Sequence, residues 1–216
     1  FFSTHTPPPP ILSGLVGSEM CIRDRTYKAS VDIAKEKGSF DEFVSIDYLN
    51  SEFIRSLPEE IRDGIFTHGI RNSHLTSIAP CGTISLCADN VSSGIEPVTY
   101  YGVDRKINTA EGEKTVRLID YGVKYLGKKG KPFREVTVEE HLSVLSTASK
   151  YVDSAVSKTI NVPEHYPWAD FKRVYISAWE KGCKGVTTYR AGGEREGVIS
   201  EASCVLDPET GQKDCS

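Results

Sequence analysis

The sequence predicts an α/β fold, and three observations carry the prediction. Segments with apolar residues at three- to four-residue spacing alternate with short apolar or β-branched runs, the pattern of helices interleaved with strands. The helical segments carry their own boundary signals: a Thr-x-x-Glu box at Thr137 and Glu140, and glycines just past the ends at Gly38, Gly69, Gly127 and Gly182. The 216 residues are 38% hydrophobic and 26% charged, enough apolar material for a core. The strands are few, so this length of chain is not expected to close a sheet alone.

In chain order, TYKASVDIAKEKG (26–38) reads as a helix with Ala29, Ile33 and Ala34 on one face and Gly38 at C′. SLPEEIRDGIFTHG (56–69) is a second helix, with Pro58 at N1, acids in its first turn and Gly69 past its end. SHLTSIAP (73–80) reads as a strand leading into a tight turn at Gly82. PVTYYGVDRKIN (97–108) is a second strand, TAEGEKT (109–115) a turn around Gly112, and VRLIDYGVKYLGKKGK (116–131) a helix ending at Gly127. TVEEHLSVLSTASKYVDSAVSKT (137–159) is the longest helical pattern, with Leu142, Leu145, Ala148 (or Ser149), Val152 and Ala155 (or Val156) in its stripe. WADFKRVYISAWEKG (168–182) is another helix, facing inward through Phe171, Val174, Tyr175, Ala178 and Trp179. GVTTYR (185–190) is a short buried strand, and from Ala191 the chain turns polar. The expected organisation is an N-terminal extension over 1–25, a folded body over 26–190 and a linker or tail over 191–216.

Charge and cysteine use narrow the function classes. A net charge of −4 offers no basic surface for nucleic acid or an anionic membrane, and no run of 18 apolar residues is present. The six cysteines (Cys21, Cys81, Cys87, Cys183, Cys204 and Cys215) are scattered, with no C-x-x-C pair and no His at zinc spacing. Reduced thiols in a cytoplasmic chain fit this better than a disulfide scaffold or a metal site.

The first 25 residues fit no leader. They lack an early Lys or Arg, a proline run (Pro7 to Pro10) interrupts them, and their apolar stretch is short and broken. LVGSEMCIRDR (15–25) resembles the translation of a sequencing-library transposon adapter, which makes 15–25 a scar and 1–14 unrelated read-through. The chain's single methionine, Met20, lies in that stretch. The remainder is therefore expected to be an internal or C-terminal piece of a longer protein.

Four blocks could carry chemistry. In SIAPCGTISL (77–86), Gly82 allows close backbone approach, Thr83 and Ser85 offer hydroxyls, and amides at a helix start attract phosphate oxygens. The same residues also serve an ordinary capped turn. Cys81, at that helix start, is a candidate nucleophile or simply a small thiol. In NVSSGIEPV (90–98), Gly94 and Pro97 make a loop in which Glu96 is held extended. In DSAVSKTINVP (153–163), Lys158 and Thr159 read as a solvated helix end, and Asn161 as a cap or a ligand contact. In GCKGVTTYR (182–190), Arg190 is an anion partner or a surface ion pair.

In this order, the four blocks resemble ribonucleotide reductase, most of all the vitamin B12-dependent (class II) large chain, over about residues 26–200. The resemblance implies the C-terminal part of a ten-stranded α/β barrel, incomplete here. It implies reduction of a ribonucleoside di- or triphosphate at the ribose 2′ position by radical chemistry started by adenosylcobalamin. It places the substrate phosphate loop on Pro80, Cys81, Gly82, Thr83 and Ile84, with Ser85 next; Cys81 stands where the family usually has Thr. The Asn-x-Cys-x-Glu stretch that carries the family's radical cysteine has no counterpart between Thr26 and Ile78. This piece therefore holds no catalytic residue and is expected to be inactive alone. Cys204 and Cys215 match the family's redox tail in placement but not in spacing, so they read as linker cysteines, with a redox role as the alternative. The implied partners are the ribonucleotide substrate, a thioredoxin-type reductant, the rest of the reductase chain and, for the parent, a second copy in a homodimer. The rivals are a class I large chain with a diiron partner, a cysteine-nucleophile hydrolase centred on Cys81, and a non-catalytic nucleotide-binding module.

Overall fold

The computed structural model describes residues 10–91, 93–109, 112–190, 200–201, 205–206 and 213–214. The elements in order are α1 (Pro10–Lys37), α2 (Ser45–Asn50), α3 (Glu52–Arg55), α4 (Glu59–His68), α5 (Gly82–Cys87), β1 (Gly102–Thr109), β2 (Gly112–Ile119), α6 (Tyr121–Leu126), a 3-10 turn (Phe133–Glu135), α7 (Val138–Ser149), β3 (Thr159–Val162), α8 (Trp168–Glu180), β4 (Thr187–Arg190), and the two-residue strands β5 (Ser200–Glu201), β6 (Val205–Leu206) and β7 (Lys213–Asp214). They divide into two compact units. The first takes residues 1–78, 143–156 and 178–185, and the second takes 79–142, 157–177 and 186–216.

The first unit is helical around an apolar core of Tyr27, Val31, Ile54, Leu57, Ile61, Ile65 and Ile70, with Phe40, Phe43 and Tyr48 packed against it. Burying each such side chain contributes roughly 1.5–3 kcal/mol. Tyr27, Ser30, Val31 and Ala34 form the buried stripe of α1, whereas Ile33 is 41% exposed. The helix thus sits rotated from the expected Ala29, Ile33 and Ala34 face. Tyr27 brings the larger apolar area inside, and buried Ser30 bonds Asn72 at 3.0 Å. α1 also begins at Pro10 rather than near Thr26, so residues 10–25 are helical where an unstructured extension is expected. α4 starts one residue later than predicted, with Pro58 as its N-cap. Gly69 ends it at φ +75°, and a Cβ there would lie 1.8 Å from the Ser39 hydroxyl, so only glycine fits.

Two expected elements of this unit shorten for one reason. Leu75 and Thr76 donate their backbone N–H groups to the Asp153 carboxylate at 2.6 and 2.9 Å instead of to a neighbouring strand. The expected strand over 73–80 is left with a single parallel bridge, Ile78 to Val156. The helix expected over 137–159 stops at Ser149, because Asp153 and Ser154 turn aside to bond Thr76. Val152 and Val156 stay buried, outside the helix.

The second unit holds the sheets. β1 and β2 form an antiparallel hairpin from Gly102↔Ile119 to Thr109↔Gly112, with β5 on the other side of β1. Residues 116–119, expected as helix, are therefore strand. Thr115 to Ile119 satisfy their backbone against β1, and the helix starts only where Asp120 caps it, accepting from the Val123 N–H at 3.1 Å. Gly127 closes α6 in the left-handed region. The Thr137–Glu140 capping box forms as predicted, at 2.7 and 3.2 Å. β3 and β4 pair in parallel, Thr159↔Thr187 to Val162↔Arg190. β4 was expected as a buried strand, but its residues are largely exposed because only β3 pairs with it among the described residues; β3 corrects the reading of 153–163 as a solvated helix end. On α8, Val174 and Ala178 are buried, whereas Tyr175 is 41% and Trp179 78% exposed, so the aromatic half of the predicted inward face stays outside. No sheet closes on itself among the described residues.

Candidate functional site

Residues 80–85 form a turn into the short helix α5. Cys81 is the N-cap without a side-chain cap bond; its thiol lies 3.3 Å from the Ala79 carbonyl. Gly82 is exposed, Ile84 is 68% exposed, and Ser85 is buried. The Ser85 hydroxyl donates to the Gly82 carbonyl at 2.7 Å and its N–H to the Cys81 carbonyl at 2.8 Å. Ser85 thus stiffens the turn, while the first-turn amides of a helix, here residues 82–84, lack intrahelical acceptors. Asp89, past the end of α5, accepts from the Tyr125 hydroxyl and pairs with Lys124 at 2.9 Å, bonds that in that order hold its carboxyl below the usual range. Among the described residues no imidazole bonds to Cys81, and no three His, Cys, Asp or Glu side chains gather to hold a metal.

The following limb, 90–98, folds back on this turn. Gly94 sits at φ +73°, where a Cβ would lie 3.3 Å from the Ala79 carbonyl, and a Cβ on Gly82 would lie 3.8 Å from the Ser93 hydroxyl. Two residues on, Glu96 reaches the start of β3. One oxygen accepts from the Lys158 ammonium at 2.8 Å, and the other accepts from the Thr159 N–H. Lys158 is only 2% exposed. Next to it, His141 is fully buried, and burial followed by the Lys158 charge holds its pKa down at about 4. Asn161 donates to His141 Nε2 at 3.4 Å, which leaves the proton on Nδ1, an atom with no hydrogen-bond partner.

Sequence reasoning therefore located the turn but missed the Glu96–Lys158 pair. Glu96 was read only as an extended loop residue and Lys158 as solvated. The available signal was the Ile160–Val162 alternation after Lys158, which marks a half-buried strand. Arg190 bonds the Glu164 carbonyl at 2.6 Å rather than an acidic side chain. A cavity of about 470 Å³ opens at the carboxyl ends of β3 and β4, lined by Phe133, Val138, Asn161, Pro163, Tyr166 and Tyr189 among others. The turn 80–85 does not line it. Cys21, Cys81, Cys87 and Cys183 are free thiols. Cys204, Cys215 and the Thr83 side chain lie outside the described residues. No described helix is long and apolar enough to cross a membrane.

A family model described as "Ribonucleotide reductase, barrel domain" matches residues 18–189. The chain is 29% identical to the vitamin B12-dependent ribonucleoside-diphosphate reductase of Mycobacterium tuberculosis (strain CDC 1551), over 84% of this chain and 28% of that protein. It is 31% identical to the enzyme of that name in Thermoplasma acidophilum, over 78% of this chain and 23% of the relative. The ribonucleoside-diphosphate reductase subunit alpha of Mycoplasma pneumoniae is 26% identical over 82% of this chain and 28% of its own length. The chain thus spans about a quarter of the length of these relatives.

Proposed function

Because the chain belongs to the ribonucleotide reductase barrel-domain family, we propose that it is the substrate-phosphate-binding part of a vitamin B12-dependent ribonucleotide reductase. The parent enzyme replaces the ribose 2′-hydroxyl of a ribonucleoside di- or triphosphate with hydrogen. In this reading the turn of Pro80, Cys81, Gly82, Thr83 and Ile84 holds the terminal phosphates, chiefly through the backbone N–H groups of Gly82, Thr83 and Ile84, and Ser85 locks the turn. Holding the phosphates fixes the ribose relative to the reacting groups, and orientation of this kind lowers the barrier without any bond being made by the loop. The observation that carries the proposal is the folding of 79–85 against 93–94 within a chain matched to the family along 18–189.

The names of the relatives support cobalamin as the cofactor, and the adenosyl form is part of the proposal. Adenosylcobalamin supplies the radical that starts the reduction. The corrin ring supplies the cobalt's own nitrogens, so a cluster of metal-ligating side chains is not what would hold it, and no step is derived through the cofactor here. With the Asn-x-Cys-x-Glu stretch missing from 26–78, the 216-residue chain alone is expected to form no deoxyribonucleotide. A thioredoxin-type reductant, reached by way of Cys204 and Cys215 or other tail thiols, and a homodimeric parent complete the proposal.

The test is made on the full-length reductase that carries this segment. Deoxyribonucleotide formation should depend on added adenosylcobalamin, and Gly82→Val, which fills the approach to the loop amides, should raise KM for the ribonucleotide at least tenfold. Turnover without cobalamin would overturn the cofactor assignment, and an unchanged KM would overturn the loop assignment. The hydrolase reading centred on Cys81 fails if alkylation of that thiol abolishes no hydrolytic activity.

A further inference from the structure

We propose that Glu96 and Lys158 are positioning residues for the substrate: a buried ion pair that sets the height of the phosphate turn relative to strand β3. The proposal rests on the assignment of residues 80–85 as the phosphate loop and goes one step behind it.

The chain of contact is short and continuous. The turn lies directly on the limb that follows it, with Gly94 at φ +73° set so close that a Cβ would meet the Ala79 carbonyl at 3.3 Å. The Ser93 hydroxyl stands in the same relation to Gly82, at 3.8 Å from where its Cβ would be. Residues 93 and 94 are therefore the floor of the turn. Only Ile95 separates that floor from Glu96, and the Pro97 that follows holds Glu96 extended. Both Glu96 oxygens are committed to β3, one to the Lys158 ammonium at 2.8 Å and one to the Thr159 N–H. This carboxylate ties the floor to β3.

The pair has the chemistry of an anchor rather than of a surface bridge. Lys158 is 2% exposed, and the Glu96 side chain retains 25% of its exposure. A buried cation that loses its partner is left uncompensated, so neither group can leave alone. A bidentate carboxylate holds position as well as charge. Neither residue lies in the turn that meets the phosphates, so the pair acts through the loop and not on the reacting atoms.

The experiment is steady-state kinetics on the full-length reductase that carries this segment. The variants are Glu96→Gln, which keeps the shape and removes the charge, Lys158→Met, which keeps the stem, and the two combined. The expected result is a KM for the ribonucleotide raised about tenfold in each single variant, with kcat moving much less. The double variant should be no worse than the worse single one, because both changes release the same anchor. A role confined to stability would lower the active fraction and hence kcat, leaving KM in place; that result overturns the proposal. If Glu96→Gln does not fold, Glu96→Asp decides, since it keeps the charge but withdraws the carboxylate by one methylene. KM must rise there too, and an unchanged KM again overturns the proposal. Gly82→Val keeps the two claims apart. A KM raised by Gly82→Val but not by the Glu96 variants defeats the anchor alone, and one raised by neither defeats the phosphate loop as well.

Discussion

Asp153 in the first unit and Glu96 in the second take backbone N–H groups from a distant segment, yet they are partnered differently. Asp153 accepts from the Leu75 and Thr76 amides and from the Tyr27 hydroxyl at 2.6 Å, all neutral donors. Burial alone would raise its pKa, but the bonds from Tyr27, Thr76 and Leu75 outweigh burial and hold the carboxyl below its usual range. Glu96 instead answers a full charge, the buried Lys158, and leaves a neutral, half-satisfied imidazole beside it. The first arrangement is saturated and suits a joint that only holds the fold. The second keeps a charge and an unmet proton near a turn assigned to a ligand, and places where local rules are broken tend to be functional.

Removing the first joint gives the largest effect. Asp153→Ala strands two amides and a tyrosine hydroxyl, and each buried unsatisfied group costs about 1–3 kcal/mol. A loss of about 3 kcal/mol or more is expected in chemical denaturation, and a loss under 1 kcal/mol would place these donors in water. Acid should separate the two units next. His141 has a folded pKa of about 4 against an ordinary 6.5. The unfolded chain therefore binds more protons between those values, and stability falls as pH drops through that window, by roughly 1–3 kcal/mol. The depressed Asp153 contributes stability that is present above its ordinary 3.8 and is lost only as pH falls further, through its folded pKa. Residue-resolved hydrogen exchange at pH 5 should find the amides around β3 and α7 opening before those of 75–76; the reverse order would break the comparison. Tyr27→Phe, which removes one donor to Asp153, should cost about 1.5 kcal/mol in thermal melts. Thr137→Ala, which removes only the α7 cap, should cost about 1 kcal/mol and leave ribonucleotide affinity unchanged.

Local signals were legible in the sequence and long-range ones were not. The Thr137–Glu140 box, the terminating glycines and strand β4 all depend on neighbours within a few residues, and all appear where expected. β2 was misread because 116–119 joins smoothly to the periodic pattern of α6; the Asp120 cap was the overlooked boundary. The α1 face was misread because three apolar residues outvoted a stripe containing Ser30, whose polarity is satisfied by Asn72, 42 residues away. The same limit hid the anchor. Glu96 and Lys158 are 62 residues apart; the Ile160–Val162 alternation marks the strand that follows Lys158, but nothing local marks Glu96 as its partner. The turn at 80–85 was found from its residue types, and its place in the family came from four blocks in order rather than from any one of them.

The central claim is that the amides of 82–84 hold the substrate phosphates, and amide hydrogen exchange on the full-length reductase, with and without cytidine diphosphate, tests it most directly. The account predicts new protection at 82–84, extending to 93–96 through the floor of the turn, and none with cytidine. Protection confined to the cavity at 133–139 and 161–166, or none at 82–84, would contradict it.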